Sequence, residues 1–84
     1  MFVDVIGNNV MLPCKVKGHP KPHIIWKDNK GVTIKKDARM KVLRSGELVI
    51  TGLRWGDMGE YTCVAVNGFG TARATTFLYP AKAS

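Results

Sequence analysis

The stretch Asp57-Met58-Gly59-Glu60-Tyr61-Thr62-Cys63 decides the fold. It has the form Asp-x-Gly-x-Tyr-x-Cys and lies between two alternating apolar segments, 48–50 and 64–66. Upstream of it lie Cys14 and then Trp26. A cysteine, then a tryptophan, then Tyr-x-Cys is the order typical of a two-sheet antiparallel sandwich with Greek-key topology. We therefore predict an all-β fold.

The small size of the chain makes its two cysteines important. With 84 residues it forms one domain, which buries only about 60% of the surface of the unfolded chain and leaves a marginal core. A disulfide between Cys14 and Cys63 would contribute on the order of 4 kcal/mol in the chain-entropy model. Two cysteines at inward positions indicate an oxidising, extracellular compartment. The alternative is a pair of reduced core cysteines in an intracellular domain.

Alternating apolar and polar residues predict a series of strands joined by turns. The predicted strands cover 2–6, 10–17, 23–27, 32–34, 39–43, 47–51, a segment around 61–66, and 70–79. They form a single domain over 1–80, followed by a C-terminal tail at 81–84. No run is long and apolar enough for this domain to insert into a membrane.

The whole chain resembles an I-set domain of the immunoglobulin superfamily, a two-sheet antiparallel sandwich. The matching features are the Gly-x-Pro-x-Pro run at 18–22, the pattern Gly46-x-Leu48-x-Ile50, and the run from Asp57 to Gly70. The resemblance implies one inter-sheet disulfide, between Cys14 and Cys63, with Trp26 packed against it.

The same resemblance implies structural roles for further residues. The hydroxyl of Tyr61 is expected to bond to the backbone of the corner that precedes its strand, and Leu48 to lie in the core. Arg39 is expected to pair with Asp57 across the bottom of the sandwich. A partly desolvated guanidinium and a carboxylate can form two parallel hydrogen bonds there.

Two shorter segments, Trp55–Gly59 and Thr76–Pro80, support a narrower resemblance. They are similar to the second domain of secreted two-immunoglobulin proteins of the insect insulin-binding imaginal-morphogenesis type and the nematode zwei-Ig group. This resemblance implies a secreted polypeptide-binding protein whose C-terminal domain is the present chain. It also implies a polypeptide hormone, such as an insulin-like peptide, as a candidate ligand.

The sequence contains no pattern that predicts catalysis. It has no nucleophile elbow, no phosphate-cradling glycine loop and no acid pair at a defined spacing. His19 and His23 flank a proline-rich loop without a nearby thiolate or carboxylate, so we interpret them as surface histidines rather than metal ligands. We expect no enzyme activity, catalytic residue, metal or cofactor.

The distribution of charge suggests a possible site for polyanions. The net charge is +7, and ten of the 13 Lys and Arg residues lie between Lys15 and Arg44. The candidate polyanion patch consists of Lys15, Lys17, Lys35, Lys36, Lys41 and Arg44. A glycosaminoglycan suits an extracellular domain, whereas nucleic acid is disfavoured because no aromatic stacking pattern accompanies the lysines. The alternative is an ordinary solvated basic surface.

Apolar residues at outward positions define a candidate partner face. Ile25, Val64 and Val66 alternate with Trp26 and Cys63, and Phe77 and Tyr79 join them from the last strand. Trp55 in the corner loop is a second candidate anchor, the alternative being that its ring packs on the bottom of the sandwich. We expect one patch that serves self-association or the binding of a polypeptide, either a secreted hormone or another immunoglobulin-domain protein. An outward Val64 predicts that Val64→Glu leaves the fold intact. The alternatives are cover by the stems of Lys27 and Arg73, or contact with a neighbouring domain.

These observations together predict an extracellular protein-binding immunoglobulin module of a secreted or cell-surface protein, with cell adhesion as a related role. Two alternatives remain at this point. One is an I-set repeat of an intracellular cytoskeletal or muscle protein, and the other is a passive spacer in an adhesion protein.

Overall fold

Two β-sheets pack face to face in the computed structural model, which describes residues 1–16 and 21–83. One sheet has the strand order β1-β7-β6-β3 and the other β2-β5-β4. The strands are β1 Phe2–Val5, β2 Val10–Leu12, β3 His23–Lys27, β4 Met40–Val42, β5 Leu48–Ile50, β6 Gly59–Asn67 and β7 Gly70–Ala81, with a 3-10 turn at Trp55–Asp57 between β5 and β6. Lys17 and His19 lie outside the described residues.

The core is formed where the inward positions of the two sheets meet. Its buried members are Val10, Leu12, Trp26, Leu48, Ile50, Leu53, Tyr61, Cys63 and Leu78. Cys14 and Cys63 form a disulfide that links the sheets, with their Cα atoms 5.8 Å apart. Trp26 is 1% exposed, and its indole Nε1 donates to the carbonyl oxygen of Gly46 at 2.8 Å. This bond satisfies the only polar group of the ring that fills the centre of the sandwich. The predicted all-β sandwich with one disulfide is confirmed.

Three of the differences from the predicted strands have identifiable reasons. β2 ends at Leu12 because Pro13, the next residue, has no N–H to donate to a ladder. The predicted strand at 32–34 is reduced to a single bridge between Lys27 and Thr33. β7 continues to Ala81, one residue past the predicted domain end, because it pairs in parallel with β1 and the carbonyl of Ala81 accepts from the N–H of Ile6.

Candidate partner-binding face

The corner between β5 and β6, residues 54–59, is held by a buried carboxylate. Asp57 is 6% exposed, and its Oδ2 accepts from Arg39 Nη2 at 2.7 Å and from the backbone N–H of Arg54 at 2.9 Å. Arg39 Nη1 reaches Asp57 Oδ1 at 3.3 Å, so the pair is bidentate, as the resemblance implied. Hydrogen bonding to Asp57 raises the pKa of Arg39 above its ordinary value. The ion pair therefore ties the corner to the chain that leads into β4.

Tyr61 fixes the same corner from the first residues of β6. Its hydroxyl donates to the backbone carbonyl of Asp57 at 2.7 Å, and the side chain is 1% exposed. Burial raises the pKa of the phenol above its ordinary value of 10.0, because the phenolate would lose its hydration. The tyrosine is thus both a core residue and a clamp on the corner backbone.

This burial predicts alkaline destabilisation. The unfolded chain ionises Tyr61 above pH 10.0 and the folded chain does not, so stability is intact below that pH and falls above it. The expected slope from this group is about 1.4 kcal/mol per pH unit. Urea unfolding between pH 9 and 11.5 measures it, with Tyr61→Phe as the control in which all other groups titrate as before. Equal slopes for the two proteins would contradict the prediction.

Asn29 forms a third restraint on the corner that the sequence patterns did not reveal. Its Nδ2 donates to the carbonyls of Gly56 at 3.0 Å and Met58 at 2.9 Å. Gly59 lies directly against it, with φ at +138°, and a Cβ built there would be 2.7 Å from Asn29 Cβ. Glycine is therefore required at this position by both the backbone conformation and the contact. In the sequence, Gly59 is part of the Asp-x-Gly-x-Tyr-x-Cys motif, but nothing in that motif connects it with Asn29, 30 residues earlier.

The restrained corner presents Trp55 beside the outer face of β7. Trp55 is 54% exposed, and its ring meets that of Tyr79 edge to face, with centroids 6.0 Å apart and an interplanar angle of 83°. Phe77 and Tyr79 point outward because Leu78 and Pro80, which alternate with them, are buried. We call the exposed set on this end of the sheet the aromatic face: Val3, Val5, Trp55, Phe77 and Tyr79.

The other predicted members of the partner face lie elsewhere on the same sheet. Val64 is opposite Ile25 and Arg73 in the strand register, yet it is only 5% exposed and does not belong to the core cluster. Its neighbours on the outer face therefore cover it. The expectation that Val64→Glu leaves the fold intact does not fit this burial, since the carboxylate would be desolvated.

The strand register also separates the predicted patch into two parts. Phe77 is opposite Glu60, four residues along β6 from Val64, which corresponds to about 13 Å. Val66 is 41% exposed and lies farther still from Phe77 along the strand. Phe77, Tyr79 and Trp55 thus belong together with two valines of β1, while Ile25, Val64 and Val66 form a separate group in which Val64 is buried.

The described members of the candidate polyanion patch lie on several different elements. Lys15 follows β2 and lines a gap next to Met1 and Phe2, whereas Lys41 lies on β4, at the other edge of the same sheet. Lys35 and Lys36 are exposed in the connection before β4. Arg44 instead lines a cleft with Lys21 and His23.

Neither a metal cluster nor a membrane-spanning helix occurs within residues 1–16 and 21–83. No three His, Cys, Asp or Glu side chains are grouped there as metal ligands, and no helix there is long and apolar enough to cross a bilayer. His23 is exposed at the start of β3.

Comparison with known proteins places this geometry in a family. The family model for the immunoglobulin I-set domain matches residues 3–79. The Drosophila melanogaster neural/ectodermal development factor IMP-L2 is 41% identical over 78 residues, and Caenorhabditis elegans zwei Ig domain protein zig-4 is 40% identical over 77. The match covers 93% and 92% of this chain, respectively, but only 29% of either relative.

The solved structures agree with the sequence comparison. The crystal structure of IMP-L2 superposes with a TM-score of 0.89 at 41% identity, over 93% of this chain and 38% of that one. The chain therefore belongs to the immunoglobulin I-set family.

Proposed function

We propose that the chain is an extracellular, non-catalytic protein-binding module whose aromatic face contacts a polypeptide partner. The observation that carries the proposal is the half-exposed Trp55, packed edge to face on Tyr79 at a restrained corner. Tryptophan and tyrosine are enriched among residues that dominate binding energy. The relatives from multi-immunoglobulin proteins support a role in protein interaction.

The surroundings of the aromatic face indicate the chemistry of its partner. Val3, opposite Tyr79 on β1, is 58% exposed and extends the apolar centre. Two exposed charged side chains border it, Glu60 opposite Phe77 and Arg54 at the corner. An apolar centre within a charged rim is the usual anatomy of a protein interface. The face therefore suits a folded polypeptide that offers an apolar anchor.

The compartment and the first ligand to test follow from other features. The Cys14–Cys63 disulfide favours an oxidising environment and hence a secreted or surface-exposed protein. The resemblance of the corner and of β7 to the insect insulin-binding type makes an insulin-like peptide hormone the first candidate. We take insulin itself as the probe.

Trp55→Ser is expected to weaken insulin binding at least ten-fold, because it removes the largest exposed anchor of the aromatic face. The fold should persist, since more than half of the ring is already in solvent. Titration calorimetry measures the affinity, and the thermal unfolding curve checks the fold.

The matched control is Phe69→Ser, which removes an aromatic side chain that is 87% exposed in the β6–β7 hairpin, away from the corner. It should keep the affinity of the unmodified chain. Equal affinity for the Trp55 variant would remove the aromatic face from the proposal. Absence of insulin binding by the unmodified chain would overturn the hormone assignment.

A further inference from the structure

A second candidate site lies where the edges of the two sheets approach each other. β3 is the last strand of one sheet and β4 the last strand of the other. Between these edges is a cleft of about 450 Å³, within the usual size range of ligand sites. It is lined by Lys21, Pro22, His23, Ile24, Val42, Leu43 and Arg44. We call it the basic cleft.

The backbone of β3 offers hydrogen-bonding groups to this cleft. β3 pairs with β6 along one side, and on its other side the carbonyl of Trp26 accepts from the N–H of Ile34 at 2.8 Å. Peptide groups of alternate residues point to the same side of a strand, so Ile24 directs its N–H and C=O to the side of Trp26. In the described part of the chain, no strand pairs with His23–Ile25 on that side. Such an open edge is a template for another strand.

The side chains of the basic cleft combine an apolar floor with a cationic rim. Ile24 and Val42 are partly buried and pack against the core, so they close the cleft from below. Lys21 and Arg44 are exposed at its rim. The lining contains no carboxylate, and that of nearby Glu47 accepts from the hydroxyl of Ser45. A ligand with both apolar and negatively charged groups is complementary to this surface.

We propose that the basic cleft binds an extended peptide of alternating apolar and acidic residues, which adds as a strand to the open edge of β3. Addition of a strand explains both features together, since backbone bonds give affinity and alternate side chains give specificity. A sulfated glycan would use the rim alone, and Lys21 and Arg44 are few charges for a polyanion. The basic cleft lies at the β3 edge of its sheet and the aromatic face at the opposite edge, on β1 and β7, so the two sites are separate.

The test uses a fluorescent peptide of sequence Glu-Val-Glu-Val-Glu-Val with blocked ends, measured by anisotropy. We expect saturable binding that falls at least ten-fold when alternate peptide nitrogens carry methyl groups. Methylation removes strand-pairing donors while preserving the charge and the apolar side chains. Equal binding of the methylated peptide, or no binding of either, would overturn the proposal.

Variants of the chain locate the binding. The double substitution Lys21→Glu with Arg44→Glu should weaken the binding of the peptide at least ten-fold. The matched pair Lys35→Glu with Lys36→Glu, which makes the same charge change at exposed residues outside the lining, should stay within two-fold. If both double variants lost the same peptide affinity, the binding would reflect non-specific electrostatic attraction, and the proposed site would be wrong. Binding of a heparin octasaccharide that depends on Lys21 and Arg44, without peptide binding, would assign the cleft to a glycan instead.

Discussion

Replacement of both Cys14 and Cys63 by alanine is expected to lower the free energy of unfolding by about 2–5 kcal/mol. The bridge closes a sequence separation of 49 residues in a domain whose core is small. Its loss restores freedom to the unfolded chain and also removes the sulfurs on which the sandwich centre packs. Urea unfolding of the two proteins, monitored by tryptophan fluorescence, measures the difference, because unfolding exposes the buried Trp26 to water.

Chemical reduction provides the control for the bridge. The unmodified domain in the presence of a strong reductant should lose most of the same stability, because reduction opens the loop and retains the sulfur atoms. The alanine variant should be insensitive to reductant. Unchanged stability of the reduced domain would show that the bridge contributes little and would weaken the assignment to an oxidising compartment.

Asp57→Ala is expected to lower the free energy of unfolding by about 2–4 kcal/mol, because it removes one partner of a largely buried ion pair. The substitution leaves the guanidinium of Arg39 and the backbone N–H of Arg54 without their acceptor. Since 25% of the Arg39 side chain is exposed, water compensates part of the loss and keeps the cost below that of a fully buried pair. Equilibrium unfolding at pH 7 measures it.

Two variants test whether the cost arises from the pair itself. Asp37→Ala removes the same charge from an exposed carboxylate that accepts the backbone N–H groups of Arg39 and Met40, and should cost at most about 1 kcal/mol. Addition of Arg39→Ala to the Asp57 variant should lower the free energy of unfolding little further, because it removes the partly buried cation that was left without its partner. If the double variant lost as much free energy of unfolding as the Asp57→Ala and Arg39→Ala variants together, the two side chains would not stabilise each other.

The sequence was sufficient to predict the core because alternation assigns each side chain to a face of its sheet. Leu12, Leu48 and Ile50 are all fully buried at positions that this periodicity assigns inward. Trp26 and Cys63, which the resemblance placed together, are directly opposite each other in the register. Because side chains alternate between the two faces of a strand, the sequence alone assigns these residues to the inner face.

The surfaces were less predictable, because a period of two gives the direction of a side chain but not what covers it. Val64 does lie outward, and only the pairing of β6 with both β3 and β7 shows that its neighbours bury it. Asn29 and Gly59 come into contact only once the corner is folded. Lys21 and Arg44 converge from the edges of different sheets, and no local spacing records such an approach.

The hydrogen bonds from Asn29 to the corner affect the kinetics with which any partner binds at Trp55. A tryptophan has two side-chain torsions, and its backbone is already anchored here through Gly56 and Met58, so little conformational entropy remains to be lost on binding. Docking should then proceed with little backbone rearrangement. Related partners would associate at similar rates and differ chiefly in how fast they leave, so the corner would set residence time rather than the speed of encounter.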